Sequence, residues 1–207
     1  MDDSEPNLKG RPVKLRGKLT YLRSSSVIRH PKVSLMQMAR VMRSWPPARP
    51  VAEQLQQLGP APDLGVHVRA GNYRGPLTPV FEKSPGNWDR HADQALREAR
   101  AKTSVGSFKT ALRKIVPKSE RANGFMAYIC GDSPEVGQRL GIFLEKRWNS
   151  VTRFGGDGED RSREGVVRAM ADAIHLSQST FFVGSADSAY SELVEFLRDR
   201  QEGERVG

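Results

Sequence analysis

In the second half of the chain, short apolar runs alternate with stretches of helical period. Three runs, at residues 125–130, 150–154 and 180–183, have the length of strands covered on both faces. After each run, apolar residues recur every three or four positions, as on the buried face of a helix. This alternation predicts right-handed crossovers and a parallel sheet with helices on both faces, which is an α/β fold.

The same pattern assigns inward-facing residues to the three helices that follow these strands. They are Val136, Leu140, Phe143 and Leu144, then Val166, Val167, Met170 and Ile174, then Tyr190, Leu193, Val194 and Leu197. Ser133 is placed to cap the first of these helices, with Pro134 at its first position, and Asp187 or Ser188 is placed to cap the last. Between strand 150–154 and its helix, residues 155–163 read as a polar loop.

The first half of the chain is less regular. Helices are predicted from residue 33 to Trp45, from Pro50 to Leu58, over 89–102 and over 105–115, and a strand over 64–69. Residues 1–32 lack a sustained period and 76–88 carry three prolines, so neither receives regular structure. We predict three parts: a basic N-terminal segment with one amphipathic helix (1–47), a Rossmann-like domain (48–198) and a polar tail (199–207).

Polar residues follow three of the predicted strands, at residues 67–72, 131–133 and 184–188. In an open parallel sheet, ligands bind outside the carboxyl ends of the strands. Arg69 offers a forked donor for phosphate, and two helix N-termini add backbone N–H groups. The sequence therefore predicts a cleft for an anionic ligand such as a nucleotide diphosphate. Each residue also fits a plain structural role: His67 in the core, Arg69 in a surface ion pair, and Asp132 in a turn.

Positive charge is concentrated at the N-terminal end of the chain. The chain carries a net charge of +9, and its first 50 residues hold eleven Lys and Arg against three Asp and Glu. Such an arm attracts nucleic acid or other polyanions, or is simply solvated. Its aromatic residues, Tyr21 and Trp45, are too sparse for an RNA-stacking pattern.

Other chemistry is disfavoured by the sequence. The single Cys130 lies in an apolar run, which predicts a buried, inert thiol and excludes an intrachain disulfide. No Cys/His cluster has zinc spacing, no Walker A sequence occurs, and no apolar run has the length of a membrane span. The first residues lack the order of a signal peptide, so we expect no secretory leader.

Three segments together resemble the motifs of the α1,6-fucosyltransferases and their relatives, including the rhizobial nodulation fucosyltransferases. Residues 65–69, Gly-Val-His-Val-Arg, match the first motif, and Ala70-Gly71-Asn72 is similar to its rhizobial form. Residues 127–135 resemble the second motif, a strand that ends in Thr-Asp-Asp-Pro. Residues 172–188 resemble the third, in which Asp and Leu-Ser-Gln precede a strand and a serine-rich turn. The motifs occur in the family's order, over roughly residues 48–198.

The resemblance implies one half of a GT-B glycosyltransferase, which binds GDP-fucose without a metal or other cofactor and transfers fucose, with inversion, to a glycan acceptor hydroxyl. It implies a catalytic role for Arg69, which would hold the β-phosphate and stabilise the departing GDP. The implied GDP-sugar-binding residues are His67, Arg69, Asn72, Asp132, Ser133, Asp172, Ser185 and Ser188. Of these, His67 and Asp172 would contact the guanine or its ribose, and Asp132 and Ser133 would lie at the nucleotide rim. Ser185 and Ser188, at the end of the third motif, would contact phosphate.

Two departures from the family pattern shape the expectation. Ala186-Asp187 stands where the family has Phe-Ser, and the first 48 residues are too few for the acceptor-binding half of a GT-B enzyme. A fragment or an inactive remnant of such an enzyme fits both. The alternative is a non-catalytic α/β module whose basic N-terminal segment binds a polyanion. For location, the resemblance implies the Golgi if the source is eukaryotic and the cytoplasm if it is bacterial.

Overall fold

The computed structural model describes residues 34–69, 103–157, 162–185 and 188–198. The strands are β1 (Leu64–Val68), β2 (Met126–Gly131), β3 (Val151–Asp157) and β4 (Phe181–Gly184). The helices are α1 (Leu35–Ser44), α2 (Arg49–Leu58), α3 (Val105–Ile115), α4 (Lys118–Asn123), α5 (Pro134–Trp148), α6 (Arg163–Ser177) and α7 (Ala189–Leu197). The predicted helix 89–102, Asn72, Asp187, the whole polar tail and most of the basic segment lie outside the described residues.

The four strands form one sheet in the order β3-β2-β1-β4, and every neighbouring pair is parallel. The predicted α/β fold is therefore confirmed, and the sheet with its flanking helices is Rossmann-like. β1 lies inside the sheet, where all five of its residues are buried. Its apolar run, covered on both faces, is what a central parallel strand requires.

The two faces of the sheet bury different side chains because neighbours along a strand point to opposite sides. On one face, Val66, Val68 and Ile129 pack with Leu112 of α3 and Leu140 of α5. On the other face, Tyr128, Cys130 and Phe182 pack with Leu176 of α6 and Val194 of α7. The first core is purely apolar, whereas the second contains hydroxyl, thiol and nearby carboxylate groups.

The predicted inward face of α6 is wrong. Val166 and Met170 are exposed, and Val167 and Ile174 are only partly buried. The buried residues of this helix are Gly165, Ala171, Asp172, Ala173, His175 and Leu176. Small side chains let the helix approach the sheet closely, and the polar ones are buried beside other polar groups. A search for apolar period cannot detect such a face.

Other differences concern element ends. β3 continues to Asp157 instead of giving way to a loop at Gly155, and α4 follows Pro117 where no helix was predicted. At the end of α3, Ile115 is 36% exposed, and the next residue, Val116, is buried in its place at 1% exposed. Ser133 occupies the N-cap position of α5, but its side chain makes no capping hydrogen bond.

Candidate functional site

The strand order defines a crevice at one edge of the sheet. From β1 the chain builds outward through β2 to β3, then crosses over β1 to place β4 on its other side. Helix α5, between β2 and β3, lies on one face of the sheet, and α6, between β3 and β4, lies on the opposite face. The order of strands thus reverses between β1 and β4. In α/β sheets the ligand crevice lies outside the carboxyl ends of strands at this reversal.

Three of the predicted site residues meet beside this crevice. The Arg69 backbone N–H donates to Ser185 Oγ over 2.7 Å, and the Ser185 N–H donates to the His67 carbonyl over 3.1 Å. The Arg69 guanidinium Nη1 lies 2.9 Å from Asp132 Oδ2. The ends of β1, β2 and β4 are thereby joined through backbone and side chain together. We call the space above Arg69, Ser185 and Ser188 the crevice.

Gly131 makes the approach of β1 and β2 possible. Its φ is +156°, and a Cβ atom there would lie 1.9 Å from the Val68 carbonyl oxygen. The next residue, Asp132, donates its backbone N–H to that same oxygen over 3.0 Å. Because the strands close so tightly here, the Asp132 carboxylate reaches the guanidinium of Arg69. The side chain of Asp132 is 4% exposed and that of Arg69 is 27% exposed.

The helix after β4 begins at the crevice. Of the two predicted caps, Ser188 caps α7 through its hydroxyl, which accepts a hydrogen bond from the Ser191 N–H. Its side chain is engaged in the helix, and its residue is buried. Phosphate contact by Ser188 or Ser185 stays a prediction.

His67 points away from the crevice, into the core between the sheet and α7. Its Nδ1 lies 2.7 Å from Ser191 Oγ, and its ring lies 4.5 Å from the ring of Tyr190. Burial, and then the nearby Arg69 cation, lower the pKa of His67 from 6.5 to about 3. The imidazole is therefore neutral at pH 7, and in this position it serves as a hydrogen-bonded core residue. Its contact with guanine stays a prediction.

Asp172 lies under the sheet rather than at its edge. Its Oδ1 accepts a hydrogen bond of 2.6 Å from the Tyr128 hydroxyl, and the residue is 4% exposed. A Cβ on Gly155 would lie 3.0 Å from Asp172 Oδ2, so the carboxylate is packed between α6 and the strands. The Asp172 carboxylate thus contacts Tyr128 on the face of the sheet that α6 covers, and its predicted contact with guanine or ribose stays a prediction.

On the face of the sheet where Asp172 lies, polar side chains are buried among apolar ones, and we call this group the buried polar layer. Two of its residues, Tyr128 and Tyr190, were not predicted from the sequence as site residues. Burial, and then the carboxylate of Asp172, raise the pKa of Tyr128, whose ring also meets His175 edge-on at 4.7 Å. The Tyr190 hydroxyl donates to the Ala169 carbonyl over 2.7 Å. Burial likewise raises the pKa of the Cys130 thiol, as expected for an inert cysteine. The available signal was the period of two that places Tyr128 and Cys130 on one strand face.

Over the part of the chain that the structure describes, no group of three His, Cys, Asp or Glu residues has the geometry of a metal site. Within the same ranges, no helix combines the length and apolar character needed to cross a membrane.

Comparisons of the chain with protein-family models, with curated proteins and with solved structures find no match. The function must therefore be argued from the residues and the geometry alone.

The neutral, buried His67 predicts a loss of stability in acid. The unfolded imidazole binds a proton below pH 6.5, whereas the folded one stays neutral down to about pH 3. The free energy of unfolding should therefore fall as pH drops through this window, by roughly 2 kcal/mol at pH 5 from this residue alone. Urea unfolding at pH 7 and pH 5 measures the change.

His67→Gln is the matched variant because an amide keeps a hydrogen-bonding group near Ser191 but does not titrate in this range. It should lose less stability than the wild type between the two pH values. His175, whose pKa burial also lowers, is present in both proteins and cancels from the comparison. Equal losses in the two proteins would show that His67 is not buried in its neutral form.

Proposed function

We propose that this chain is the nucleotide-sugar-binding half of a fucosyltransferase-like glycosyltransferase, with the diphosphate of GDP-fucose bound in the crevice. The observation that carries the proposal is the meeting of all three family-like segments at the strand-order reversal. Arg69 comes from the first segment, Asp132 from the second and Ser185 from the third, and they are joined by contacts of 2.7–2.9 Å.

Arg69 supplies the cation that a diphosphate needs. A guanidinium has five N–H donors in a rigid fork, so its contact with Asp132 leaves other donors for phosphate oxygens. Asp132 acts as a positioning residue in this proposal, because its carboxylate fixes the direction of the guanidinium. Its negative charge also opposes a bound phosphate, which sets a limit on affinity.

The proposed reaction breaks the bond between the fucose anomeric carbon and the β-phosphate oxygen of GDP. An acceptor hydroxyl oxygen attacks the same carbon from the opposite side, so the sugar configuration inverts. The electron pair of the broken bond stays on GDP, where Arg69 stabilises the new negative charge. The acceptor hydroxyl releases its proton as the new bond forms, and the group that takes this proton is not assigned.

Titration of the full chain with GDP, followed by calorimetry and by the melting temperature, tests the proposal. We expect micromolar to millimolar binding that is stronger for GDP than for ADP or UDP. Arg69→Lys should weaken GDP binding about tenfold, since it keeps the charge but loses the fork, and Arg69→Ala about a hundredfold. Arg69→Lys keeps a cation beside Asp132, so this variant should stay folded. Weaker GDP binding to it then cannot be attributed to unfolding.

Arg139→Ala is the control, because Arg139 is an exposed arginine on α5 with only an i,i+4 partner, Glu135. It should bind GDP as the wild type does. A folded wild-type chain that shows no response to millimolar GDP would overturn the proposal. So would GDP binding that Arg69→Lys and Arg69→Ala leave unchanged.

The polyanion-binding alternative depends on the basic N-terminal segment, most of which lies outside the described residues. It stays a prediction of the sequence.

A further inference from the structure

Beside the crevice lies a second depression, which we call the side cleft. It has a volume of about 340 Å³, and it opens where β2 and β3 meet the start of α5. Its walls include Val68, Ile129, Ser133, Gly137, Gln138 and Phe154. This volume is at the lower end of the range for small-ligand sites, about 300–1,000 Å³. Ser133, in the turn after β2, lines the side cleft, and Asp132 just before it contacts Arg69 of the crevice.

An irregularity in β3 accompanies the side cleft. Ile129 pairs with Phe154 and Gly131 pairs with Asp157, so two residues of β3 stand opposite the single residue Cys130. A bulge of this kind bends its strand and commonly lies next to a binding site. The absent side chain of Gly137, which lines the cleft between Ile129 and Phe154, leaves further room.

The polar groups that line the side cleft are not used for capping hydrogen bonds within the fold. Ser133 is 5% exposed and occupies the N-cap position of α5, yet its side chain makes no capping hydrogen bond. The first-turn N–H groups of Glu135 and Val136 therefore donate no hydrogen bond to it. Together with the Gln138 amide, these groups provide both donors and acceptors along one side of the cleft.

The remaining walls are apolar and uncharged. Val68 and Ile129 form part of the base, and Phe154, whose residue is 51% exposed, lies at the rim. The described residues that line the cleft include no Lys, Arg, Asp or Glu. None of these lining residues offers a cation to a phosphate, whereas a neutral ring with one apolar face and several hydroxyls is matched by the apolar walls and by the polar groups.

We propose that the side cleft binds a neutral sugar ring. The apolar face of the ring would pack on Phe154, which is 51% exposed, and its hydroxyls would bond to Ser133, Gln138 and the N–H groups of α5. Its role as the acceptor rests on the proposed function, because neighbouring strands are only about 4.8 Å apart and a ring here would adjoin a donor held in the crevice. The affinity of the cleft for a sugar does not depend on that role.

Gly137→Ala is the sharpest test. A Cβ at Gly137 would lie 3.6 Å from Ile129 Cγ2 and 4.0 Å from Phe154 Cε1, so it enters the cleft without a clash. Replacing a glycine inside a helix by alanine also stabilises the fold, and we expect the melting temperature to rise by about 2 °C. Neutral methyl glycosides of common hexoses and N-acetylhexosamines, titrated into the labelled full chain and followed by amide NMR shifts, should bind at least tenfold more weakly to this variant.

Gly106→Ala is the matched control. Gly106 is an exposed glycine in the first turn of α3, and among the described residues a Cβ there would come within 4 Å of Ser104 Oγ alone, at 3.6 Å. It should stabilise the chain to a similar degree and leave glycoside binding unchanged. Ser133→Ala supplies a second variant: since its hydroxyl caps nothing, stability should hold while glycoside binding weakens.

The expected result is glycoside-induced shifts at Ser133, Gly137 and Gln138 that disappear in Gly137→Ala and persist in Gly106→Ala. Shifts that survive in Gly137→Ala, or stronger binding of guanosine than of any glycoside at these residues, would overturn the inference. GDP titration of the same sample separates the two proposals. Binding of GDP without any glycoside overturns the side cleft alone, whereas glycoside binding without GDP overturns the crevice alone and leaves the cleft as a sugar site.

Discussion

Gly131→Ala should destabilise the chain by about 3 kcal/mol or prevent it from folding. An added Cβ would lie 1.9 Å from the Val68 carbonyl oxygen, 2.7 Å from its carbonyl carbon and 2.9 Å from its Cα. All three are backbone atoms of a central strand, so no side-chain rotation can relieve the overlap, and strand separation would break the hydrogen bond from Asp132 to Val68. Urea unfolding measures the loss, provided that the variant is folded in the absence of denaturant.

The same change at Gly106 separates this effect from the general preference of helices and strands for alanine. Gly106→Ala should be neutral or stabilising, since the nearest described atom to its Cβ, Ser104 Oγ, is 3.6 Å away. If Gly131→Ala were as stable as the wild type, β1 and β2 could not end as closely as described. The contact between Arg69 and Asp132 would then lose its structural basis.

Arg69→Ala should lower the free energy of unfolding by roughly 2–3 kcal/mol even without a ligand. The Asp132 carboxylate, 4% exposed, would lose the guanidinium that lies 2.9 Å away. Removing one partner of a buried pair is costly because the other charge stays desolvated. Chemical denaturation of the ligand-free protein at pH 7 measures this loss.

Asp132→Asn in the Arg69→Ala background should recover part of the stability, because a neutral amide is less costly to bury than a carboxylate. The wild type, Arg69→Ala, Asp132→Asn and the double variant form a double-mutant cycle. We expect a coupling free energy between the two residues above about 1 kcal/mol. A coupling near zero would mean that the contact is a loose surface ion pair. Asp132 could then not position Arg69 for a phosphate, and the proposed function would lose one of its supports.

The parallel sheet was predictable because buried parallel strands leave a strong signal. The runs at 125–130 and 180–183 are short, apolar and bounded by turn residues, and they became β2 and β4 within one residue. The positions of α1 and α2 followed from amphipathic period and from Pro50 and Gly59-Pro60 at the ends. Such signals are local, so they can be recognised without knowledge of the rest of the fold.

The buried polar layer was less predictable. The predicted buried face of α6 did not include Asp172 or His175, yet they are 4% and 1% exposed. Their burial depends on Tyr128, which lies more than 40 positions earlier in the chain, and on the missing side chain of Gly155. The grouping of Asp172 with Arg69 in one site came from the resemblance, and the geometry gives Asp172 a partner elsewhere.

Patterns within a few neighbouring residues were enough to predict most of the elements, the parallel sense of the sheet and the placement of polar residues after three strands. The strand order, and with it the reversal between β1 and β4 where Arg69 meets Asp132 and Ser185, became visible only in the folded chain. The side cleft is likewise a tertiary feature, since it arises where Val68, Phe154 and Ser133 converge from distant parts of the chain. Contacts between distant segments depend on how whole faces pack, and no local pattern encodes that choice.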